Sequence, residues 1–217
     1  MKISLLVSSI LLTGGIFLLV VSQSETNFHE HKLRNNYLSQ NYSFALLGDS
    51  HFAYFDCRKF LPQFNFVNFG IGGNTSSDML WRLNPVINSK VKHCLIIAGT
   101  NDCLQNFPLN ETIKNLYQIC NTLIDQNVTV AIHTIPNLSN SIVQSEIYNI
   151  RIDQLNTQIR IIAQNENLCL IELNKNLCPN GELPPQLTYD GIHLNKNGYN
   201  IWAMLINDYL NNTTTTR

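Results

Sequence analysis

Short apolar runs that alternate with longer amphipathic stretches limit the fold of this chain more than any other feature. Several of these runs are apolar nearly throughout, which is typical of strands in a parallel sheet that is covered on both faces. The predicted strands are Phe44–Leu47, Phe64–Phe69, Cys94–Ala98, Val128–Thr134 and Leu168–Leu173.

The stretches between the predicted strands have the apolar spacing of helices. From Asn110 to Gln126, apolar residues recur at i, i+3, i+4 and i+7, which predicts a one-sided helix with Asn110 as its N-cap. The same spacing predicts helices between Ser145 and Asn165 and around Trp202. This alternation predicts an α/β fold, a three-layer α/β/α sandwich with a mainly parallel sheet of about five strands and right-handed crossovers.

The length of the chain allows one domain with a sizeable core, plus appendages. Its 217 residues are 44% hydrophobic and only 13% charged, and the formal net charge is −1. Such a balance, without a basic stripe, gives no electrostatic reason to expect a nucleic-acid partner. We expect a small ligand that is roughly neutral or is recognised by its shape.

The first residues predict export. Lys2 precedes an uncharged run from Ile3 to Val21 that is long for a signal-peptide core and just long enough to span a bilayer. Residues 1–22 are therefore interpreted as a signal peptide or an uncleaved membrane anchor, with a buried core helix as the less favoured alternative. Either favoured reading predicts a periplasmic or extracellular protein, or one held at the membrane through residues 3–21.

Composition divides the rest of the chain into three parts. We predict a polar spacer at 23–42, a folded domain at 43–211 and a disordered, threonine-rich tail at 212–217. An exported domain can form disulfides, and Cys169 and Cys178, which flank a strand exit, are a candidate pair. No Cys-x-x-Cys pair is present, so neither a zinc ribbon nor a thioredoxin-type redox site is predicted.

Polar residues follow three of the predicted strands directly. These segments are Gly48-Asp49-Ser50, Gly72-Gly73-Asn74-Thr75 and Gly99-Thr100-Asn101-Asp102, and a fourth, Asp190-Gly191-Ile192-His193, lies near the C-terminus. Ligands of open parallel sheets bind at the carboxyl ends of the strands. We therefore expect these side chains to meet around one site.

The four segments contain the groups that acyl transfer needs. Ser50 is the candidate nucleophile, His193 the base that takes its proton, and Asp190 the carboxylate that orients the imidazole. Gly73 through its N–H and Asn101 through its amide are candidate oxyanion donors. Each residue also has a structural interpretation, since a serine or aspartate can cap a helix and a glycine or asparagine can serve a turn.

The four blocks, in this order, resemble those of the SGNH (GDSL-type) hydrolases over residues 43 to about 210. The second block, residues 68–75 with 80–83, is nearest to esterases similar to platelet-activating-factor acetylhydrolases and lysophospholipases. The resemblance implies a flavodoxin-like fold, a triad of Ser50, Asp190 and His193, and an oxyanion hole from the N–H groups of Ser50 and Gly73 with the Asn101 amide. It implies neither a metal nor an organic cofactor.

The expected activity is that of a serine esterase acting on acyl or acetyl esters of a lipid or an acetylated glycan through an acyl-enzyme on Ser50. Many relatives have an apolar residue where this chain has His51, and Gly-Asp-Ser-His also resembles SGNH domains linked to O-acetylation of envelope polysaccharides. An O-acetyltransferase with the same triad and a non-catalytic envelope binding module are therefore the alternatives. His51, His93 and His133, beside or within strands, are predicted to be structural.

Overall fold

The computed structural model describes residues 42–214, with side chains through residue 212. Its sheet has the order β2-β1-β3-β4-β5, and every pairing in it is parallel. The strands are β1 (Phe44–Gly48), β2 (Phe66–Gly70), β3 (His93–Ile97), β4 (Thr129–His133) and β5 (Cys169–Ile171). This order is that of flavodoxin-like folds. The predicted three-layer α/β/α class is confirmed, with strand ends that differ from the predicted ones by one or two residues.

Helices connect the parallel strands, as crossovers in such sheets require. Within the described residues they are α1 (Ser50–Ala53), α2 (Cys57–Phe60), α3 (Ser76–Trp81), α4 (Leu83–Asn88), α5 (Thr100–Leu104), α6 (Leu109–Asp125), α7 (Ser145–Asn165), α8 (Leu173–Leu177) and α9 (Lys196–Thr214). A 3₁₀ turn at Pro185–Leu187 precedes α9.

Strand β1 lies between β2 and β3 and is buried along its whole length. In this register Gly48 is opposite Gly70 on one side and Ile97 on the other, so the three strands end at the same edge of the sheet. The loops that follow these strands carry three of the four polar segments. The fold therefore brings those segments to one rim.

An aromatic cluster joins the last helix to the first. The fully buried indole of Trp202 on α9 stacks on Phe52 of α1, with ring centroids 4.7 Å apart and an interplanar angle of 19°. Tyr199 stacks on the same indole at 6.0 Å. Stacked pairs of this kind add about 0.5–1.5 kcal/mol each beyond the area they bury. The cluster fixes α1, which carries Ser50, against the C-terminal part of the chain.

The helix expected over 110–126 forms, but its predicted cap is wrong. Helix α6 begins at Leu109, with Pro108 at the N-cap position and no side-chain capping bond. The fixed backbone angle of Pro108 (φ −57°) prepares the chain to turn into a helix one residue earlier than expected. Asn110 consequently lies inside the first turn.

Three further expectations concern the ends of the chain and its cysteines. Residues 1–22, the spacer apart from Tyr42, and residues 215–217 lie outside the described part. Helix α9 continues to Thr214, so the first residues of the predicted tail are helical. All six cysteines belong to the described part and are free thiols, so the suggested Cys169–Cys178 bridge is not formed. Between residues 42 and 214, no helix is both long and apolar enough to cross a membrane.

Candidate active site

Ser50 is held at the start of α1, directly after β1. Asp49, rather than Ser50, is the N-cap, and its carboxylate accepts a hydrogen bond from the His51 N–H at 2.9 Å. This leaves the Ser50 hydroxyl free to point away from the helix. A side chain at Gly70 would place its Cβ 2.3 Å from the backbone nitrogen of Ala53, so a glycine there lets β2 approach α1 closely.

The imidazole of His193 lies against the hydroxyl of Ser50. Its Nε2 is 2.9 Å from the Ser50 Oγ, and its Nδ1 is 2.7 Å from Oδ2 of Asp190. Because a carboxylate can only accept, Nδ1 carries the proton and Nε2 accepts from the serine hydroxyl. The structure thus brings Ser50, His193 and Asp190 together in the arrangement that the sequence predicted.

The Asp190 carboxylate is oriented by its own loop as well as by the imidazole. Its Oδ1 accepts from the backbone N–H groups of Ile192 (3.0 Å) and His193 (2.8 Å). Partial burial raises the pKa of Asp190, but the hydrogen bonds from the His193 ring and these N–H groups outweigh that effect and lower the pKa to about 2. Asp190 therefore stays ionised well below neutral pH.

The loop that carries His193 is tied down at both ends. The His193 carbonyl accepts from the Tyr189 N–H at 3.0 Å and from the Thr188 hydroxyl at 2.7 Å. On the other side, Asn195 Oδ1 accepts from the N–H groups of Asn197 (2.9 Å) and Gly198 (3.3 Å) and so caps α9. These hydrogen bonds hold the His193 side chain on a short loop.

Gly73 and Asn101, the two predicted oxyanion donors besides Ser50, lie on neighbouring loops. Asn101 Nδ2 donates to the carbonyl of Asn74 at 2.9 Å, which uses one of its two amide protons. Gly73 has φ +77°, a conformation that favours glycine, and a Cβ at Gly72 would lie 4.0 Å from the Ser50 Cβ. The Gly73 loop therefore adjoins both Ser50 and Asn101, and one Asn101 proton remains for a substrate.

The Arg82 side chain connects the ends of β1 and β2 with the loop that carries Asn74. Its Nη2 donates to the Gly48 carbonyl at 2.9 Å, its Nη1 to the Phe69 carbonyl at 2.7 Å, and its Nε to Asn74 Oδ1 at 2.6 Å. The side chain is buried, and its planar fork of donors matches three acceptors at once. Through these bonds, one guanidinium fixes the ends of β1 and β2 relative to the residue that supports Asn101.

Asp102 joins the same loops from the side of α5. Its carboxylate accepts from both the N–H and the hydroxyl of Ser76, at 2.9 and 2.5 Å, and from the Thr112 hydroxyl at 3.1 Å. The residue is buried and does not reach the triad through any of these bonds. Its role is to hold α3, α5 and α6 together behind Asn101.

A second aspartate–histidine pair is formed by the two residues that flank Ser50 in the chain. The Nδ1 of His51 is 3.0 Å from Oδ1 of Asp49, and both side chains are buried. The His51 ring centroid is 6.1 Å from that of His193, and its backbone carbonyl accepts from the Tyr199 hydroxyl at 2.9 Å. His51 is thus a buried, bonded residue rather than an exposed base.

His133 is also buried, on β4 next to the Trp202 cluster. Its Nδ1 donates to the Ile96 carbonyl at 2.9 Å, and burial lowers its pKa to about 4. The neutral imidazole therefore serves packing. Sequence reasoning foresaw this structural role but not the Asp49–His51 pair or the Arg82 hub. The only signal for Arg82 was a lone arginine among apolar residues at 80–83.

Comparison with known proteins gives a family and a fold. A family model described as "GDSL-like Lipase/Acylhydrolase family" matches residues 46–201. Among solved structures, a GDSL-like lipase from Bacteroides thetaiotaomicron is 23% identical with a TM-score of 0.71, over 78% of this chain and 88% of that one. A protein from Streptococcus pneumonia named as a platelet activating factor is 21% identical with a TM-score of 0.73, over 89% and 99%.

Two further similarities complete the comparison. A catalytic mutant of an acetylxylan esterase from Geobacillus stearothermophilus is 19% identical with a TM-score of 0.63, over 75% of this chain and 91% of that one. At these identities the solved structures show the fold alone. N-acylneuraminate cytidylyltransferases from two strains of Streptococcus agalactiae are 22% identical over 129 residues, which are 59% of this chain but only 30% of theirs.

Proposed function

Because the chain belongs to the GDSL-like lipase/acylhydrolase family and is an SGNH-type esterase, we propose that it cleaves carboxylic esters through an acyl-enzyme on Ser50. The observation that carries the proposal is the continuous hydrogen-bonded line from the Ser50 hydroxyl through His193 to Asp190. Serine, imidazole and carboxylate in this order are the parts of a hydrolytic triad.

In the first half of the reaction, the Ser50 Oγ attacks the ester carbonyl while its proton passes to Nε2 of His193. The negative charge that develops on the carbonyl oxygen is stabilised by the N–H groups of Ser50 and Gly73 and by the Asn101 amide. The tetrahedral intermediate then loses the alkoxide, which takes the proton back from His193 and leaves as an alcohol. The acyl group remains on Ser50.

In the second half, water replaces the alcohol. His193 takes a proton from the water, and the resulting hydroxide attacks the acyl carbon. The bond to Ser50 breaks, the Oγ recovers its proton from His193, and a carboxylic acid is released. Asp190 stays ionised throughout and stabilises the imidazolium that forms twice in the cycle.

Hydrolysis of p-nitrophenyl acetate by the full chain tests this proposal. We expect Ser50→Ala to lower kcat by about 10⁴-fold or more, because no acyl-enzyme can form and only the oxyanion donors and substrate binding still accelerate the reaction. Ser89→Ala, which removes a hydroxyl bonded to the Val86 carbonyl, is the matched control and should keep wild-type turnover. Equal turnover by Ser50→Ala would overturn the assignment.

The acceptor of the acyl group separates the two enzymatic readings. A second measurement with an added glycan follows whether the acetyl group appears as acetate or on the glycan. Acetate as the main product supports the esterase. Preferential acetylation of the glycan would replace it with an O-acetyltransferase that uses the same residues.

We also propose that the protein works outside the cytoplasm, on the basis of the apolar run from Ile3 to Val21. Fractionation of cells that express the full chain tests this. Activity in the periplasmic, extracellular or membrane fraction is expected, and activity confined to the cytoplasm would contradict the proposal.

A further inference from the structure

The side of the site on which the alcohol of an ester must lie follows from the proposed chemistry. His193 returns its proton to the departing oxygen, so that oxygen comes within hydrogen-bonding distance of Nε2. The carbonyl oxygen of the ester faces the oxyanion donors, Gly73 and Asn101. A cleft that opens beside His193 can therefore receive the alcohol part of the ester.

Such a cleft, of about 440 Å³, is present beside the triad. Tyr54 and Tyr189 line it and are 60% and 77% exposed. The ring centroid of Tyr54 lies 5.3 Å from that of His193. Lys59 and Lys196 add two ammonium groups to the lining. The lining also includes the carboxylates of Asp56 and Asp190 and the apolar side chains of Phe60 and Leu194. Ring faces together with several hydrogen-bond donors and acceptors suit a hydroxyl-rich ring.

The first cleft continues into a second one. A second cleft of about 630 Å³ shares Lys59 and Phe60 with the first and extends along α9. Its polar lining is mostly amides, including Gln63 and Asn207, which hydrogen-bond each other at 2.9 Å on the surface. A small ester would fill only the first cleft, whereas a polymeric alcohol would reach both.

We propose that the alcohol part of the ester is a sugar unit of an oligosaccharide, bound between Tyr54 and Tyr189, and that the adjoining sugar units lie in the second cleft along α9. This inference rests on the proposed esterase function. Apolar ring faces would cover the exposed tyrosines, and hydroxyl groups would bond the lysines and amides.

The test uses three acetyl esters that differ only in their alcohol: vinyl acetate, acetylated xylose and acetylated xylotetraose, with acetylated N-acetylglucosamine oligomers as a second series. We expect Tyr189→Ala to lower kcat/KM for all sugar esters by about tenfold and Tyr189→Phe to retain it, because the ring is the binding element. Asn207→Trp, which fills the second cleft, should lower kcat/KM by about tenfold for the oligomers only. Vinyl acetate should be unaffected by either change.

Gln154→Trp, on the exposed face of α7, is the control for an added indole. If Asn207→Trp and Tyr189→Ala change kcat/KM equally for all three kinds of ester, or for none of them, the proposed sugar binding in the two clefts is wrong. The proposed esterase function is unaffected by that result. Faster hydrolysis of a long-chain lysophospholipid than of any sugar ester would also overturn the proposed sugar binding. If the wild type cleaves no ester at all, the proposed function itself has failed.

A separate observation concerns the pair of Asp49 and His51. The Asp49 carboxylate accepts from Nδ1 of His51 at 3.0 Å, and the His51 ring centroid is 6.1 Å from that of His193. The backbone of Ile192 is near enough to the His51 ring to raise its pKa. Since Nδ1 already bonds Asp49, we assign the contact with Ile192 to Nε2. Asp49 precedes Ser50 in the chain and Ile192 precedes His193, so one imidazole spans the two loops whose side chains must meet.

We infer that His51 is a positioning residue that sets the distance between Ser50 and His193. Burial lowers the pKa of His51, but the charge and hydrogen bond of Asp49, together with Ile192 and the charge of Asp190, raise it overall. This direction agrees with a ring that donates from both nitrogens to two acceptors.

Two nearly isosteric substitutions test this role. His51→Gln keeps a donor near the position of Nε2, and His51→Asn keeps one near Nδ1 only. We expect His51→Asn to lower kcat by about 100-fold with KM unchanged, and His51→Gln to recover most of that loss, because small displacements of reacting groups cost this much. Rates are divided by the fraction of protein that a fluorophosphonate finally labels, so only folded molecules count. Equal kcat for the two variants, or a change in thermal stability alone, would overturn the inference.

Discussion

Oδ2 of Asp190 lies 2.7 Å from Nδ1 of His193, on the side of the ring opposite Ser50. This contact selects the tautomer in which Nε2 can take a proton. We expect Asp190→Asn to lower kcat by about 10³-fold or more, because an amide can donate to Nδ1 and favour the wrong tautomer. Steady-state kinetics on p-nitrophenyl acetate measures this, and a loss below tenfold would contradict the role of the carboxylate.

The charge of Asp190 also affects stability at acidic pH. Its folded pKa, about 2, is below the ordinary value of 3.8, so its contribution to stability is present above pH 4 and is lost as the pH falls toward 2. Thermal unfolding of the wild type and of Asp190→Asn between pH 2 and pH 5 measures the difference. The two melting temperatures should converge toward the acidic end, and parallel curves would be evidence against the pairing.

His133 gives stability a second pH dependence. Its pKa is about 4 in the folded protein and 6.5 ordinarily, so between these values the unfolded chain binds more protons. Stability should therefore fall as the pH drops from 6.5 to 4, with a slope of at most about 1.4 kcal/mol per pH unit. His133→Asn, which keeps a donor near the position of Nδ1 for the Ile96 carbonyl, should flatten the curve of unfolding free energy over this range.

Asn101 is predicted to act on the transition state rather than on folding. Losing one oxyanion donor costs about 10²–10³-fold in kcat, so Asn101→Ala should show this loss with little change in KM. Asn140→Ala, at an exposed position, is the matched control. A wild-type kcat for Asn101→Ala would remove this residue from the oxyanion hole.

Arg82 is predicted to hold the rim of the sheet together. Arg82→Met leaves Asn74 Oδ1 without its buried donor, at about 1–3 kcal/mol for an unsatisfied group, and removes one donor each from the Gly48 and Phe69 carbonyls. Chemical denaturation should show a loss of unfolding free energy of this size, together with lower activity. Lys114→Met, which breaks only an exposed pair with Glu111, should change stability by less than about 1 kcal/mol. Equal free energies of unfolding for the two variants would contradict the stabilising role of the buried Arg82 hydrogen bonds.

Local patterns in the sequence were sufficient for the sheet and the helix Ser145–Asn165. The four polar segments, with the family resemblance, indicated the side chains of Ser50, Asp190 and His193 that the structure brings together. Strand and helix periodicity report which faces are buried, and parallel topology then brings the strand ends together. The predicted N-cap of α6, Asn110, was wrong because the fixed φ of Pro108 starts the helix at Leu109 without a side-chain cap. The contacts of Arg82 with Gly48 and Phe69 were not predictable, because these partners are backbone carbonyls at the ends of two strands.

The most direct test of the central claim is rapid-quench mass spectrometry of the full chain mixed with p-nitrophenyl acetate. The account predicts that one acetyl group appears on the peptide containing Ser50, before steady-state release of acetate, and that the adduct is absent in Ser50→Ala. Release of p-nitrophenol without an acetylated peptide, or acetylation of a different residue, would contradict it.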